Sequence, residues 1–212
     1  MTTLTWNGRV MNLRDWLARK TGLRERLPAG QHLVTSFPVL HAGPVPPFDP
    51  RTWRFKVFGL VDAEHSFTYE EFTAGTRFSI TTVPADFHCV TTWSKFDNVW
   101  EGVRFLDLLP HLQVQPAARY VMAHCAYGYT TNMPLADLQR DNVLFAWRHN
   151  GADLTPEHGY PLRLVVPHLY AWKSAKWLRG IEFMAEDAPG YWEQRGYHMY
   201  GDPWREQRYA WD

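Results

Sequence analysis

The sequence predicts an α+β fold, a single domain built from strand-rich mixed sheets with short helices. Short runs of β-branched and aromatic residues recur between turn signals, whereas helical periodicity is confined to brief stretches. A chain of 212 residues, of which 45% are hydrophobic and 21% charged, suits one domain with a sizeable core. Because we find no linker, repeat or low-complexity block, we expect residues 1–212 to form one unit.

The N-terminal elements begin with a helical extension over residues 1–29, in which residues 10–20 have apolar side chains near 3.6-residue spacing. Five prolines between Pro38 and Pro50 exclude a helix there and predict an extended segment over a surface. The stretch TWRFKVFGLV at 52–61 alternates apolar and polar residues, which predicts a half-buried strand.

The middle of the chain predicts a helix at 67–74, where Thr68 and Glu71 have the spacing of a capping box. Strands are predicted at 79–83 and 87–92 from their β-branched residues, followed by a loop with the sequence SKFDN. A short helix is expected at 103–109, ending at Pro110.

The C-terminal half predicts further strands at 120–126, 143–149, 161–167 and 176–184. A turn with one helical turn is expected at 131–138, and a short helix at 173–175. The tail 186–212 is rich in tyrosine and tryptophan, so we expect it to pack across the domain instead of exposing those rings.

Charge and composition exclude several classes of function. A formal net charge of zero argues against nucleic-acid binding and gives no reason to expect binding to an anionic membrane. Since no signal-peptide core and no run of eighteen apolar residues occurs, we expect a cytoplasmic protein without a membrane span. Two cysteines, 36 residues apart, are then expected to be free thiols or metal ligands.

Cys89 is the first candidate for chemistry. A lone cysteine is most often a buried small hydrophobe, but Cys89 has polar neighbours, precedes an aromatic cluster and is followed by the predicted loop. The pairs His88–Cys89 and His124–Cys125 raise the possibility of zinc, although adjacent strand residues point to opposite faces. A Cys–His nucleophile with His124 or His158 as base also remains open.

A second candidate site lies in HGYPLRLVVPHLYAWKSAKWLRG, residues 158–180. Cationic side chains interleaved with tryptophans suit a planar ligand that carries phosphate, since guanidinium and ammonium groups bind the anion and rings stack. Solvated charges on alternate strand positions are the simpler reading. Arg163 argues against that reading because it lies within an apolar strand, and a buried arginine needs an anion.

Two motifs carry a family resemblance: CVTTWSKFDNVWEGV at 89–103 and HGYPLRLVVPHLYAWKSAKWL at 158–178. Together they resemble the molybdopterin-binding domain of the sulfite oxidase superfamily over roughly residues 30–185. The chain is most similar to the small, stand-alone bacterial members. The resemblance implies a sulfite-oxidase-type molybdopterin-binding fold and one molybdenum–molybdopterin cofactor per chain.

The resemblance also implies roles for individual residues. Cys89 would be the thiolate ligand of molybdenum, and Arg163 would hold the phosphate of the pterin. The other residues that it implies as cofactor contacts are Val39, Leu40, His41, His124, His158, Ala171, Trp172, Lys173, Ser174 and Lys176.

The implied activity is transfer of an oxygen atom to or from a small sulfur- or nitrogen-containing substrate, such as a sulfoxide or sulfite. Animal and plant sulfite oxidases have an arginine-rich stretch after the cysteine, whereas this chain has only Lys95 there, which disfavours sulfite. Candidate substrate-side residues are Lys95, Arg104 and His124. No haem domain is expected, so the resemblance implies an unidentified electron-transfer partner. The alternatives are a non-catalytic, aromatic-rich binding module and a metal-free Cys–His thiol enzyme.

Overall fold

The computed structural model describes residues 3–6, 9–12 and 22–212. The strands in these ranges are β1 Thr3–Trp6, β2 Arg9–Asn12, β3 His32–Leu33, β4 Arg54–Gly59, β5 His65–Thr68, β6 Ile80–His88, β7 Trp93–Arg104, β8 Tyr120–Cys125, β9 Thr130–Pro134, β10 Leu144–His149, β11 Ala152–Asp153, β12 Arg163–Val165 and β13 Leu178–Met184. The α-helices are α1 Leu23–Arg26, α2 Tyr69–Thr73, α3 Phe105–Leu108 and α4 Leu135–Leu138.

The strands form two large sheets and a separate hairpin of β1 and β2. One sheet has six strands in the path β11-β10-β7-β3, with β12 also pairing with β10 and β6 with β7. The other has five strands in the order β5-β4-β13-β8-β9. The pairs β13–β4 and β3–β7 are parallel, and the remaining described pairs are antiparallel. The predicted strand-rich α+β class with mixed sheets is confirmed.

Strand β10 separates two hydrophobic cores because its side chains alternate between the faces of the six-stranded sheet. Phe145 packs into the inter-sheet core with Phe55 of β4 and Ile181 of β13. Leu144 and Ala146 pack on the opposite face, in a second core. The second core comprises Val83, Phe87, Cys89, Val90, Trp93, Trp100, Leu144, Ala146, Leu154, Val165, Tyr170 and Trp172.

Several predicted elements are confirmed. The alternating stretch at 52–61 contains β4, and the predicted capping box forms at α2: the Thr68 hydroxyl accepts from the Glu71 N–H, and the Glu71 carboxylate accepts from the Thr68 N–H. The strands predicted at 120–126, 143–149, 161–167 and 176–184 correspond to β8, β10, β12 and β13.

Other predicted elements were wrong. The expected loop SKFDN lies within β7, where buried side chains alternate with the partly exposed Lys95 and the exposed Asp97. Asp97, at φ 55°, forms an irregularity. This distortion is stabilised by the Asp97 N–H, which donates to the Asp86 carboxylate at 3.0 Å. The helix predicted at 103–109 begins only at Phe105, because Arg104 still pairs with Leu144 of β10.

Two further corrections concern short segments. Residues 131–134 of the expected turn belong to β9, and the short helix expected at 173–175 is a 3₁₀ turn at Ala171–Lys173. Of the helix predicted at 10–20, the first residues belong to β2, and residues 13–20 lie outside the described residues. In the described part of the chain, no helix has the length and apolar character needed to cross a bilayer.

Candidate active site

A cavity of about 310 Å³ opens beside the second core. Five separate segments form its walls: the proline-rich segment around Phe37, the β6–β7 hairpin with Cys89, Tyr129 before β9, residues between His158 and Trp177, and the C-terminal tail at Trp192 and Tyr197. Its walls are mainly aromatic and apolar, with a few polar groups, which is the usual composition of a small-molecule site.

Cys89 lies at the start of the tight loop that joins β6 to β7. The Cys89 N–H donates to the Trp93 carbonyl at 2.8 Å, and the Thr92 N–H donates to the Cys89 carbonyl at 3.1 Å. Thr92 closes the turn with φ 72°, a left-handed conformation that is uncommon for a β-branched residue. Backbone strain of this kind persists only where the surrounding structure holds it, and it is frequent at functional sites.

The Cys89 side chain is 7% exposed and borders the cavity. Its sulfur lies 3.1 Å from the hydroxyl oxygen of Thr91, and burial raises the pKa of the thiol. No histidine is hydrogen-bonded to this sulfur among the described residues. A thiol nucleophile requires an accessible thiolate and a nearby base, so the geometry disfavours the Cys–His alternative.

Neither His–Cys pair forms a zinc site. His88 Nδ1 lies 2.8 Å from the Ser94 hydroxyl, and His124 Nε2 lies 2.9 Å from the Glu182 carboxylate. Within residues 22–212, no group of three or more His, Cys, Asp and Glu side chains is placed to hold a metal ion.

Arg163 is the main charged group of the cavity. Its side chain is 3% exposed, and its two terminal nitrogens donate to the carbonyls of His158 at 2.9 Å and Ser174 at 3.0 Å. Its Nε has no partner, and no carboxylate pairs with it within the described ranges. Burial lowers the pKa of this guanidinium to about 9. A buried, uncompensated cation with a free donor favours an anionic ligand.

Lys176 and His158 extend the basic side of the cavity. Lys176 Nζ donates to the carbonyls of Leu40 at 2.7 Å and Glu157 at 2.8 Å, and burial, followed by the charge of Arg163, lowers its pKa to about 7. His158 Nε2 lies 3.2 Å from the Phe37 carbonyl and must therefore carry the proton. Burial also lowers the pKa of His158, so this ring is neutral above that lowered value.

Aromatic rings form the remaining walls. The Trp172 indole N–H donates to the Glu193 carboxylate at 2.8 Å, which fixes that ring against the tail. The buried indole N–H of Trp93 has no hydrogen-bond partner among the described residues. Phe37 stacks on His158 with 4.4 Å between ring centroids. A flat ligand would therefore meet several ring faces and one unused donor.

The structure brings most of the sequence-predicted residues together at this cavity. Those that line it are Leu40, His41, Cys89, His158, Arg163, Ala171, Trp172, Ser174 and Lys176. Val39 is adjacent in sequence to lining residues, but its own side chain is exposed and does not line the cavity.

Lys173 is not brought to the cavity. Its side chain is fully buried, and its ammonium donates to the Asn132 carbonyl at 2.8 Å and the Met199 carbonyl at 2.7 Å. It also forms an ion pair with the buried carboxylate of Glu193. The 3₁₀ turn at Ala171–Lys173 directs this side chain toward the tail, so its ammonium binds protein groups.

The three expected substrate-side residues do not line the cavity either. Arg104 forms an ion pair with Asp107 at 2.9 Å, and His124 lies beside Glu182 of β13. Lys95 is nearer, because it pairs with the cavity-lining Phe87 across the hairpin.

Sequence reasoning missed several cavity residues. Phe37, Tyr129, Trp192 and Tyr197 belong to segments without regular periodicity, so no pattern could place them. His149, which is not among the residues found to line the cavity, was also missed: its ring centroid lies 5.2 Å from that of the cavity-lining Phe37, and burial, with the charges of Lys95 and Arg163, lowers its pKa to about 4. The aromatic composition of the tail was the one signal that could have indicated Trp192 and Tyr197.

Comparison with known proteins agrees with this geometry. A family model described as "Oxidoreductase molybdopterin binding domain" matches residues 42–192. The chain is 50% identical over 195 residues to the uncharacterized oxidoreductase YuiH of Bacillus subtilis, covering 92% of this chain and 97% of that protein. It is 30% identical to the mitochondrial sulfite oxidase of Rattus norvegicus, covering 73% of this chain and 33% of the relative.

A solved structure shares the fold. The sulfane dehydrogenase SoxCD of Paracoccus pantotrophus superposes with a TM-score of 0.62 at 25% identity, covering 69% of this chain and 41% of that one. The matched family region contains Cys89, Arg163 and Lys176, the residues that give the cavity its thiol and its cations. The chain therefore belongs to the family of oxidoreductases with a molybdopterin-binding domain, and it is an enzyme of the sulfite oxidase type.

Proposed function

We propose that the chain binds one molybdenum–molybdopterin cofactor in this cavity and transfers an oxygen atom to or from a small sulfur-containing substrate. The observation that carries the proposal is that Cys89 and Arg163, whose guanidinium keeps an unpartnered Nε, line the same aromatic-walled cavity. The cavity thus offers a soft metal ligand and an anion site together, and molybdopterin presents both a metal dithiolene and a phosphate.

The basic side fits the phosphate. Arg163 Nε is an unused donor, and phosphate oxygens are strong acceptors for guanidinium groups. Lys176 and Arg163 both border Gly159 and line the cavity, so the two cations are placed to share one dianionic phosphate. The orphaned indole N–H of Trp93 supplies a further donor for the polar edge of a pterin.

The thiol side fits the metal. With no multi-residue metal cluster within 22–212, the protein's own contribution is one sulfur, which suits a metal whose other ligands come with the cofactor. When bound, the molybdenum centre supplies two-electron oxygen-atom transfer. The chain's residues orient the cofactor, exclude water with aromatic walls and present Cys89 from a strained, well-held turn.

A weakly charged sulfur compound, such as a sulfoxide, is the proposed substrate class. Relatives named for sulfite, sulfane and methionine sulfoxide support a sulfur substrate, whereas other relatives are named nitrate reductases. Beside Cys89 the lining residues are Val90 and Thr91, and Arg163 is the one arginine among the residues found to line the cavity. If Arg163 holds the cofactor phosphate, little positive charge is left for a sulfite dianion. Electrons would be exchanged with a separate redox partner.

The proposal is tested by elemental analysis of protein purified from a host that makes molybdopterin. We expect about one molybdenum per chain in the wild type and a loss of nearly all of it in Cys89→Ser. Cys125→Ser is the matched control, because Cys125 is equally buried and lies in β8, outside the residues that line the cavity. Its molybdenum content should equal that of the wild type.

Wild-type protein that is folded but contains no molybdenum would refute the cofactor assignment. Equal molybdenum content in Cys89→Ser and Cys125→Ser would refute the role of Cys89 while leaving the cofactor in place. Oxidation of sulfite faster than reduction of sulfoxides by the loaded enzyme would overturn the proposed substrate class.

A further inference from the structure

The loop that carries Cys89 is held by two distant parts of the chain. Gln31 donates through Nε2 to the Cys89 carbonyl at 3.0 Å, and Arg208 donates through Nη1 to the Val90 carbonyl at 2.9 Å. The backbone N–H of His32 donates to the Thr92 carbonyl at 2.8 Å. Of the four residues from Cys89 to Thr92, three therefore have carbonyls that accept a hydrogen bond from a residue outside the β6–β7 hairpin.

Arg208 is itself well anchored. Its side chain is 14% exposed, and its guanidinium lies 5.0 Å from the ring centroid of the fully buried Tyr170. Its Nη2 lies 3.4 Å from the Ala29 carbonyl, so the tail also contacts the segment that presents Gln31. Gly30 leaves room for this contact, because a Cβ there would lie 3.3 Å from the same nitrogen.

The loop needs such support because its conformation is unfavourable on its own. Thr92 has φ 72°, a backbone conformation that is strained for a β-branched residue. Glycine would adopt this conformation without strain. External hydrogen bonds to the neighbouring carbonyls restrict the loop to the geometry that presents Cys89 to the cavity. Removal of one bond would let the turn relax and move the sulfur.

We propose that Gln31 and Arg208 are positioning residues that clamp the Cys89 loop for metal binding. Both lie outside residues 42–192, the region that matches the family model, so the clamp is made by segments that flank the matched region. The metal-binding part of the inference rests on the proposed function. The clamp itself rests on the hydrogen bonds to the Cys89 and Val90 carbonyls.

The test compares Arg208→Met, Arg208→Lys and Gln31→Met with the control Arg205→Met. Arg205 is an exposed arginine of the same tail with no hydrogen bond or ion pair in the described structure. In metal-free protein, the alkylation rate of Cys89 is followed by peptide mass spectrometry, with Cys125 as internal reference. In loaded protein, molybdenum content and the visible thiolate-to-molybdenum absorption are measured.

We expect Arg208→Met to accelerate alkylation of Cys89 roughly tenfold, about the effect of losing one charged hydrogen bond, with Cys125 unchanged. Gln31→Met should give a smaller increase in the same direction, and Arg208→Lys should restore part of the protection. In loaded protein, Arg208→Met should shift the visible band and lower the molybdenum content, whereas Arg205→Met should match the wild type.

Alkylation of Cys89 at the wild-type rate in both Arg208→Met and Gln31→Met would overturn the clamp. So would an equal acceleration at Cys89 and Cys125, because that result indicates general loosening of the fold. If wild-type protein contains no molybdenum, the proposed function fails, but the alkylation comparison still decides whether the loop is clamped. An unshifted band at full molybdenum content in both clamp variants would overturn the link to metal binding alone.

Discussion

Replacement of Arg163 by methionine should stabilise the cofactor-free protein while abolishing cofactor retention. Burial lowers the pKa of Arg163 to about 9. The ordinary pKa of arginine is about 12.5, so burial lowers the pKa of Arg163 by about 3.5. At about 1.36 kcal/mol for each pKa unit, the buried charge costs about 5 kcal/mol of folding free energy. In Arg163→Met, the carbonyls of His158 and Ser174 would each lose a hydrogen-bond donor, which costs about 1–1.5 kcal/mol per carbonyl. The free energy of unfolding should therefore rise by about 2 kcal/mol.

The stabilisation by Arg163→Met should depend on pH. The folded-state pKa of Arg163 lies below its unfolded value, so the penalty of the buried cation is fully present below about pH 9. It is relieved as the pH rises above that value. The advantage of Arg163→Met should therefore be largest at neutral pH and should decrease in alkaline solution.

The assay is urea and thermal unfolding of cofactor-free protein from a host without molybdopterin. For a chain of this size, about 2 kcal/mol corresponds to a rise in Tm of about 4–8 °C. Lys173→Met is the matched control, since Lys173 is a buried cation whose carboxylate partner Glu193 would be left unpaired. It should destabilise the protein by about 3–5 kcal/mol. Equal destabilisation by both substitutions, with molybdenum retained in Arg163→Met, would refute the assignment of Arg163 to a ligand anion.

Three further predictions follow from other residues. The affinity of the cofactor-free protein for sulfate, measured by calorimetry, should fall as the pH rises through about 7, because Lys176 loses its charge at its lowered pKa. Lys176→Arg should bind sulfate without this fall. A wild-type affinity that does not change with pH would contradict the lowered pKa of Lys176. Thr92→Gly should raise the free energy of unfolding by about 1 kcal/mol in urea titrations, because glycine adopts a positive φ without strain. A lower free energy of unfolding would show that the turn is not strained. Arg104→Ala and His124→Ala should retain full molybdenum content and the wild-type visible spectrum, since neither side chain lines the cavity; a loss of either property would restore their predicted role.

Local patterns succeeded where the physics is local. The capping box of Thr68 and Glu71 formed because its two hydrogen bonds connect residues only three apart. The apolar run around Arg163 predicted a buried strand, and with it a buried cation that needs an anion. The prediction of a loop at residues 94–98 was wrong because pairing with β6 stabilises this part of β7, although its residues are mostly polar.

The direction of individual side chains was decided by distant segments. Lys173 follows the cavity-lining Trp172 in sequence, yet its ammonium binds the carbonyls of Asn132 and Met199. His124 has the expected spacing from Cys89, but it lies on the five-stranded sheet beside Glu182. Sequence spacing specifies a residue's neighbours along the chain, whereas these contacts depend on how sheets and tail pack.

The sequence by itself determined the strand-rich class, the buried environment of Arg163 and the resemblance that pointed to Cys89 as a metal ligand. These properties follow from periodicity and residue chemistry, which are written in short stretches. The tertiary structure alone decided the cavity and the support of its thiol. Phe37 meets His158 across 121 positions, and Arg208 meets Val90 across 118, so both contacts exist only after the chain has folded.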